Sequence, residues 1–315
     1  MSKGRIDVHH HILPTHYVES VGEHPVAVQG SSGRVPTWGI EHSLEAMDAA
    51  GIQTAITSLS APGLAPADKS KVAYLARWCN DFAAGMGRDH PGRFGMFATL
   101  PLLEIDAALA EVAYSFDVLK ADGACLLSNY GGRYLGDPFF RPLYEELNRR
   151  KAVVFVHPTS PQSMVQIDKL SASTLEFTFD TTRTAASLVF GKVLTDFPGI
   201  RWIMSHAGGT IPFLCGRVDV LTTNNATVRE KIPNGFKVEL AKLYFDTALS
   251  ANPATLHAVE EIATTDHILF GSDYPFGPKG QMNQAAAALD AMDWDKETLG
   301  KINRDTAAAL FPRFA

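Results

Sequence analysis

The sequence predicts a single (β/α)₈ barrel over residues 1–315, because strand-like runs alternate with helical segments along the whole chain. Several runs are continuously apolar, which is typical of strands covered on both faces. No linker, low-complexity tract or change of composition marks a second domain, and barrels of this kind occupy chains of this length. The predicted strands are residues 5–10, 53–58, 93–100, 123–127, 152–157, 201–206, 243–247 and 267–272.

Segments with helical spacing fill most of the connections between these strands. Ser43, for example, is followed by apolar residues at helical spacing and then by the stop signal Gly51. Two connections are unusually long, residues 12–42 and residues 158–180, and we predict them to be lids because loops at the carboxyl ends of barrel strands build active sites. The predicted helices are residues 43–50, 71–88, 105–119, 138–150, 181–197 and 255–262.

Composition limits the class of partner. With 46% hydrophobic and 20% charged residues and a net charge of −6, the chain is expected to be globular and to lack the basic field that nucleic-acid binding needs. No apolar run approaches the length of a membrane span, and we expect no membrane partner. Cys79, Cys125 and Cys215 lie far apart and are interpreted as reduced thiols of a cytoplasmic protein.

A His-x-His pair ends the first predicted strand. His9 and His11 lie two residues apart, and the period of an extended strand points both rings to one side, with His10 facing the other way. Two converging imidazoles in a buried place need a cation or hydrogen bonds, and a metal such as zinc suits neutral imidazole. A structural turn rich in histidine is the alternative at this point.

Three further strands end in polar residues of the same kind. His157 follows a strongly apolar run and precedes Pro158, which ends ladder pairing, while His206 and Asp273 follow two later strands. Because the carboxyl ends of barrel strands meet at one mouth, all these side chains are expected to share one site.

The motifs resemble those of the amidohydrolase superfamily, in the branch of 2-amino-3-carboxymuconate-6-semialdehyde decarboxylase and related aromatic-acid decarboxylases. The resemblance covers the whole chain and rests on four stretches. These are Ile6-Asp7-Val8-His9-His10-His11-Ile12-Leu13-Pro14, Phe155-Val156-His157-Pro158, Ser205-His206-Ala207-Gly208-Gly209 with Gly216-Arg217-Val218-Asp219, and Gly271-Ser272-Asp273-Tyr274-Pro275-Phe276.

The resemblance implies a role for each matching residue. It makes His9, His11, His157 and Asp273 the ligands of one divalent metal ion, with zinc as first choice and manganese as the alternative. It makes His206, together with Asp273, the acid/base machinery. It implies that Arg217 binds the carboxylate of the substrate, across the interface of a homodimer. Arg34 is a positional guess for a second carboxylate-binding arginine.

The reaction expected from this resemblance is the decarboxylation of a small aromatic or muconate-like carboxylic acid. No lysine ends the fifth strand to bridge two metals, so one ion is expected. His-x-His replaces the Glu-x-His that many hydroxybenzoate enzymes carry at the first strand, which leaves the substrate open. A mononuclear hydrolase of a lactone or related ester is the alternative, and a non-catalytic binding barrel is a third.

Supporting residues are predicted as well. Asp7 is interpreted as a support for the strand end, and Asp246 as a helix N-cap in preference to a partner of the site. An apolar wall for an aromatic substrate could come from Phe177, Phe179, Met164, Trp38 and Phe276, although such residues are more often core.

Overall fold

A computed structural model describes residues 4–30, 32–277 and 280–315 and shows a barrel of eight parallel strands. Each predicted strand is present, and the (β/α)₈ prediction is confirmed. The last strand forms ladder pairs over two residues only, Ile268 and Leu269. The strands are β1 Arg5–His11, β2 Ile52–Ser58, β3 Phe94–Thr99, β4 Gly123–Leu127, β5 Val153–His157, β6 Arg201–Met204, β7 Tyr244–Asp246 and β8 Ile268–Leu269.

Backbone hydrogen bonds close the barrel between its last and first strands. Neighbouring strands pair in parallel and in chain order from β1 to β8. The Val8 amide donates to the carbonyl of Phe270 at 3.0 Å, and the Asp273 amide donates to the carbonyl of His9 at 2.9 Å. The segment after β8 therefore continues alongside β1, which sets Asp273 beside the two histidines of the first strand.

Helices surround the barrel and occupy parts of both long connections. Residues 12–42 contain two short helices and the start of the helix Ile40–Ala49. A helix also begins at Ala172, inside the connection predicted to run to residue 180, so both irregular stretches are shorter than predicted. The α-helices are Thr15–Val21, Glu23–Ala27, Ile40–Ala49, Val72–Asp89, Ile105–Asp117, Arg141–Arg149, Ala172–Phe190, Val193–Asp196, Ile211–Asn224, Ala226–Lys231, Phe236–Leu240, Pro253–Glu260, Gln281–Asp290, Lys296–Gly300 and Thr306–Leu310, with a π-helical turn at Lys301–Asp305. In the described ranges, none of them combines the length and apolarity needed to cross a bilayer.

The barrel interior is filled with apolar side chains below the mouth. Phe97 and Phe155 stack there with ring centroids 5.3 Å apart, and Phe311 and Phe314 from the end of the chain belong to the same cluster. A second, larger cluster lies between the strands and the outer helices. Because the interior is packed, the strand ends at the mouth are where a ligand finds space.

A register irregularity in β1 sets the direction of its histidines. Ile6 and Val8 belong to the interior cluster, yet His9 also turns toward the barrel axis and contacts the ring of Phe155. The pairing of β1 with β2 shifts register between Asp7 and His10, which allows two successive residues to face inward. Strict alternation of side chains along β1 would place Asp7 on the same side as His9, and the structure does not follow it. His9 and His11 nevertheless converge, as predicted.

Gly209 permits close packing between the loop after β6 and the helix Ala172–Phe190. Its φ is +67°, and a Cβ added there would collide with the carbonyl oxygen of Thr178. The Thr210 amide then donates to the Thr182 hydroxyl at 2.8 Å, which fixes the loop against the helix. The glycine is needed because both the backbone conformation and the space exclude a side chain.

We expect Gly209→Ala to lower the free energy of unfolding by about 2 kcal/mol or more, because it adds both strain and a collision. Gly85→Ala is the matched control, since it lies within the helix Val72–Asp89 and its added methyl would make only ordinary contact with Arg88. That control should change stability by no more than about 1 kcal/mol, in the stabilising direction. Urea unfolding of the two variants checks this, and equal effects would contradict the packing role of Gly209.

Candidate active site

Four side chains from distant parts of the chain meet at the mouth of the barrel. His9 Nε2 lies 3.0 Å from His11 Nε2, and each of these atoms lies 3.2 Å from Asp273 Oδ1. One ligand atom from each of His9, His11, His157 and Asp273 falls within 4.8 Å of the others, and all four residues are buried. The sequence-predicted residues are thus brought together as one group.

The remaining ring nitrogens are held by hydrogen bonds. His9 Nδ1 donates to Asp246 Oδ2 at 2.7 Å, and His157 Nδ1 donates to the carbonyl of Pro158 at 2.7 Å. His11 Nδ1 lies 3.0 Å from the hydroxyl of Ser58. With Nδ1 engaged in each ring, the Nε2 atoms are left to face one another and a carboxylate oxygen. A divalent cation at the centre fits this donor set, because it replaces repulsion between lone pairs with coordination.

The electrostatics of the group also favour a cation. Burial lowers the pKa of His11 to about 4, and burial with the neighbouring histidines holds the pKa of His157 well below its usual range. Burial lowers the pKa of His9 too, but the carboxylates of Asp246 and Asp273 outweigh it and raise this pKa to about 10. The pocket therefore stabilises positive charge while keeping two imidazoles neutral, the form that binds a metal.

Asp246 supports the site, and its prediction as a helix N-cap is wrong. Its carboxylate accepts from His9 Nδ1 through one oxygen and from the backbone amides of His206 and Ala248, both at 2.9 Å, through the other. The next helix begins at Pro253 and is capped by Asn252 instead. The local sequence does not distinguish these roles, because His9 lies 237 positions away along the chain.

Asp7 and His10 belong to the support of the site. The Asp7 carboxylate accepts from the Ser272 hydroxyl at 2.6 Å and from the Ser272 amide at 3.0 Å, so it joins the first strand to the segment after the last. His10 faces away from the four-residue group, as predicted, and stacks on Tyr274 with Nε2 3.2 Å from the Ser43 hydroxyl.

His206 lies against the same carboxylate from the opposite side. Its Nε2 is 3.4 Å from Asp273 Oδ2, whereas Asp273 Oδ1 faces His9 and His11. Both His206 and Asp273 adopt left-handed backbone conformations, with φ of +53° and +60°. Such conformations are costly for residues with side chains and persist where the surrounding structure enforces them, often at functional sites.

A cavity of about 280 Å³ opens above the group, and we call it the site cavity. Its wall includes His157, His206 and Asp273 together with Phe177 and Phe276. The other proposed wall residues, Phe179, Met164 and Trp38, do not line it. Leu249, Gln29 and several hydroxyl side chains do line it, and sequence inspection missed them because they lie in connections with no strand-end motif.

Arg217 and Arg34 lie outside the site cavity. Arg217 is exposed on the helix Ile211–Asn224, and Arg34 is exposed in the first long connection. On the same helix, the Asp219 carboxylate accepts from the amide of Phe236 at 2.8 Å. Within one chain, therefore, the structure does not bring either arginine to the predicted site.

Comparisons with known proteins identify the class. A family model described as amidohydrolase matches residues 6–313. The 6-methylsalicylic acid decarboxylase of Penicillium expansum is 36% identical, with 98% of this chain and 96% of that protein covered. The gamma-resorcylate decarboxylase of Rhizobium sp. (strain MTP-10005) is 30% identical, with 89% and 93% covered. A solved 2,6-dihydroxybenzoate decarboxylase in complex with 2,6-dihydroxybenzoate superimposes with a TM-score of 0.83 at 26% identity, covering 98% of this chain and 99% of that one.

The chain belongs to the amidohydrolase family. Within that family it lies in the branch of aromatic-acid decarboxylases, as the sequence motifs indicated, and the prediction of a metal-dependent carboxy-lyase is confirmed.

Removing the charge of Asp246 should weaken metal binding without unfolding the chain. We expect Asp246→Asn to lower zinc affinity by about 10- to 100-fold, because the amide no longer fixes the His9 ring and its proton as the carboxylate does. Competition titration with a chromophoric chelator measures the affinity. Asp266→Asn is the control, since Asp266 is exposed and pairs with Lys301 far from the mouth. Equal affinity in the two variants would contradict the role assigned to Asp246.

Proposed function

We propose that this chain decarboxylates a small 2-hydroxybenzoic acid, with 6-methylsalicylate as the first substrate to test. The observation that carries the proposal is the convergence of four metal-ligating side chains and His206 on a cavity of about 280 Å³. That volume suits a single substituted ring, and Phe177, Phe276 and Leu249 offer it apolar contact. Relatives that act on 6-methylsalicylic acid and gamma-resorcylate, matched over most of their length, support this choice.

We assign His9, His11, His157 and Asp273 to one divalent metal ion. Zinc remains the first choice because three imidazoles and one carboxylate suit it, and manganese accepts the same set. When bound by these four residues, such an ion would supply a Lewis acid that stabilises the negative charge developing as CO₂ leaves. Hydrogen bonds that the rings make to the Asp246 carboxylate, the Ser58 hydroxyl and the Pro158 carbonyl hold the three imidazoles in place for it.

His206 is assigned the proton transfer. Loss of CO₂ from an aromatic acid leaves an electron pair on the ring carbon, and that carbon must gain a proton before product leaves. His206 lines the site cavity and has an Nδ1 atom with no partner among the described residues, while its Nε2 faces Asp273. One oxygen of Asp273 thus faces the metal-binding histidines and the other faces His206, which supports its assignment both as a metal ligand and as a partner in proton transfer.

Arg217 is assigned to a neighbouring site in a homodimer. Among the described residues that line the site cavity there is neither arginine nor lysine, so a substrate carboxylate finds no side-chain cation within its own chain. Arg217 lies one helical turn from the 84% exposed Phe213 and near the 56% exposed Val220, on an apolar face that a second copy could cover.

A single domain over residues 1–315 and a cytoplasmic location are further parts of the proposal, and they rest on the sequence.

Two variants separate metal binding from chemistry. We expect His11→Ala to lose most of its bound zinc, because one of four ligands is gone, and His206→Ala to keep zinc but release CO₂ from 6-methylsalicylate at least about 100-fold more slowly. Metal analysis and a CO₂-release assay measure both. Chelation of the wild-type enzyme should abolish turnover, and zinc or manganese should restore it.

Product analysis decides between decarboxylation and hydrolysis. Decarboxylation consumes an acid and forms a phenol, whereas hydrolysis of a lactone forms a new acid. If the metal-replete enzyme releases no CO₂ from a panel of hydroxybenzoates and hydrolyses lactones, the proposal is wrong. Unchanged zinc content in His11→Ala would overturn the ligand assignment separately.

Complementation tests the placement of Arg217. Arg217→Ala should raise KM for the acid by about tenfold or more, because a charge-assisted hydrogen bond to the carboxylate is lost. If Arg217 acts across a dimer, refolding equal amounts of Arg217→Ala and His206→Ala together should restore about a quarter of wild-type activity, since half of the dimers are mixed and each has one complete site. Activity no higher than the average of the two variants would contradict action across the interface.

A further inference from the structure

A second cavity, larger than the site cavity, lies at the same mouth of the barrel. Its volume is about 470 Å³, and it is lined by residues of β3 and β4 and of the segments that follow β2, β3, β4 and β5. We call it the apolar chamber, and its lining includes the apolar side chains of Leu59, Leu100, Leu127 and Tyr130 together with the uncharged polar side chains of Asn129 and Gln162. None of the residue roles assigned above uses it.

The chamber and the site cavity lie back to back. Leu59 lines the chamber, whereas the next residue, Ser60, lines the site cavity with its hydroxyl 3.5 Å from His157 Nε2. On the other side, His157 belongs to the site cavity and Thr159, two residues later, belongs to the chamber. The two cavities are therefore neighbours at the strand ends after β2 and β5.

The two spaces differ in charge. The site cavity has His157, His206 and Asp273 in its wall and suits an anion once a metal is bound there. Among the described residues that line the chamber, the charged ones are Lys69 and Glu104, and both are exposed at its rim. Burial also raises the pKa of the Cys125 thiol in the wall to about 12, so that this group is uncharged. The chamber therefore disfavours a carboxylate and favours an uncharged apolar molecule.

We propose that the apolar chamber binds the uncharged phenol that the reaction forms, at a site distinct from the metal centre. The inference rests on the proposed function, in which an aromatic carboxylate loses CO₂, its ring carbon gains a proton, and a neutral phenol results. For 6-methylsalicylate that phenol is 3-methylphenol. The charge of its carboxylate disfavours the substrate among these side chains, while the product has the size and polarity that the chamber accepts, as apolar cavities in proteins accept small aromatic molecules.

Crystallography with a heavy-atom analogue locates the phenol directly. Crystals of the zinc-loaded enzyme are soaked with 3-bromophenol, and anomalous scattering from bromine gives its position. The expected result is a bromine peak between Leu100 and Tyr130. A peak at the metal centre alone overturns the proposal.

Calorimetry gives the affinity in solution. In zinc-loaded His206→Ala enzyme saturated with 6-methylsalicylate, 3-methylphenol should still bind at about one molecule per chain, whereas 3-methylbenzoate should not bind in the chamber. Ala65→Trp, which places a large ring at an exposed position of the chamber lining, should weaken binding of the phenol about tenfold or more. Ala287→Trp, at an exposed position of the helix Gln281–Asp290 that does not line the chamber, should leave it unchanged.

The failures of the two proposals are distinguishable, because binding of the phenol requires no turnover. An enzyme that binds 3-methylphenol in the chamber but releases no CO₂ from hydroxybenzoates would overturn the proposed substrate alone. If the enzyme releases CO₂ but Ala65→Trp and Ala287→Trp bind the phenol with the same affinity, only the proposal that the chamber binds the phenol is overturned.

Discussion

Closure of the barrel between its last and first strands is the constraint on which the site depends. His11 of β1 and Asp273 after β8 are separated by 262 positions, yet His11 Nε2 and Asp273 Oδ1 lie 3.2 Å apart. Asp7 and Ser272 join these two segments through side-chain and backbone hydrogen bonds, and the Asp273 amide donates to the His9 carbonyl. The left-handed conformation of Asp273 is held by these contacts and directs its carboxylate toward the histidines.

The same constraint gives the site its electrostatic character. Buried imidazoles and carboxylates crowded together are unfavourable unless their lone pairs meet a positive charge. The supporting residues prevent the rings from turning away to relieve this, since Asp246 and the Pro158 carbonyl hold the Nδ1 atoms of His9 and His157. Part of the free energy of folding therefore holds these donor groups close together, and binding of a cation would offset that cost.

The mouth of the barrel is divided by charge as well as by space. The loops after β2 and β5 contribute to both the site cavity and the apolar chamber, with neighbouring residues facing opposite sides. Decarboxylation converts an anion into a neutral molecule, so a boundary between a polar and an apolar compartment separates what enters the reaction from what leaves it. Substrate and product share the same ring and differ little in size, so the proposed chamber distinguishes them by charge.

The sequence by itself determined the barrel, its eight strands and the residues at their carboxyl ends, because apolar runs and their polar termini are local patterns that parallel strands bring to one mouth. It did not reveal that Asp246 pairs with His9, that a register irregularity in β1 lets Val8 and His9 both face inward, or that helix begins at Ala172. Those features depend on contacts between positions far apart in the chain, and on packing that overrides local preference. The apolar chamber was likewise decided by tertiary structure alone, since its leucines look like ordinary core residues until the fold leaves a space between them.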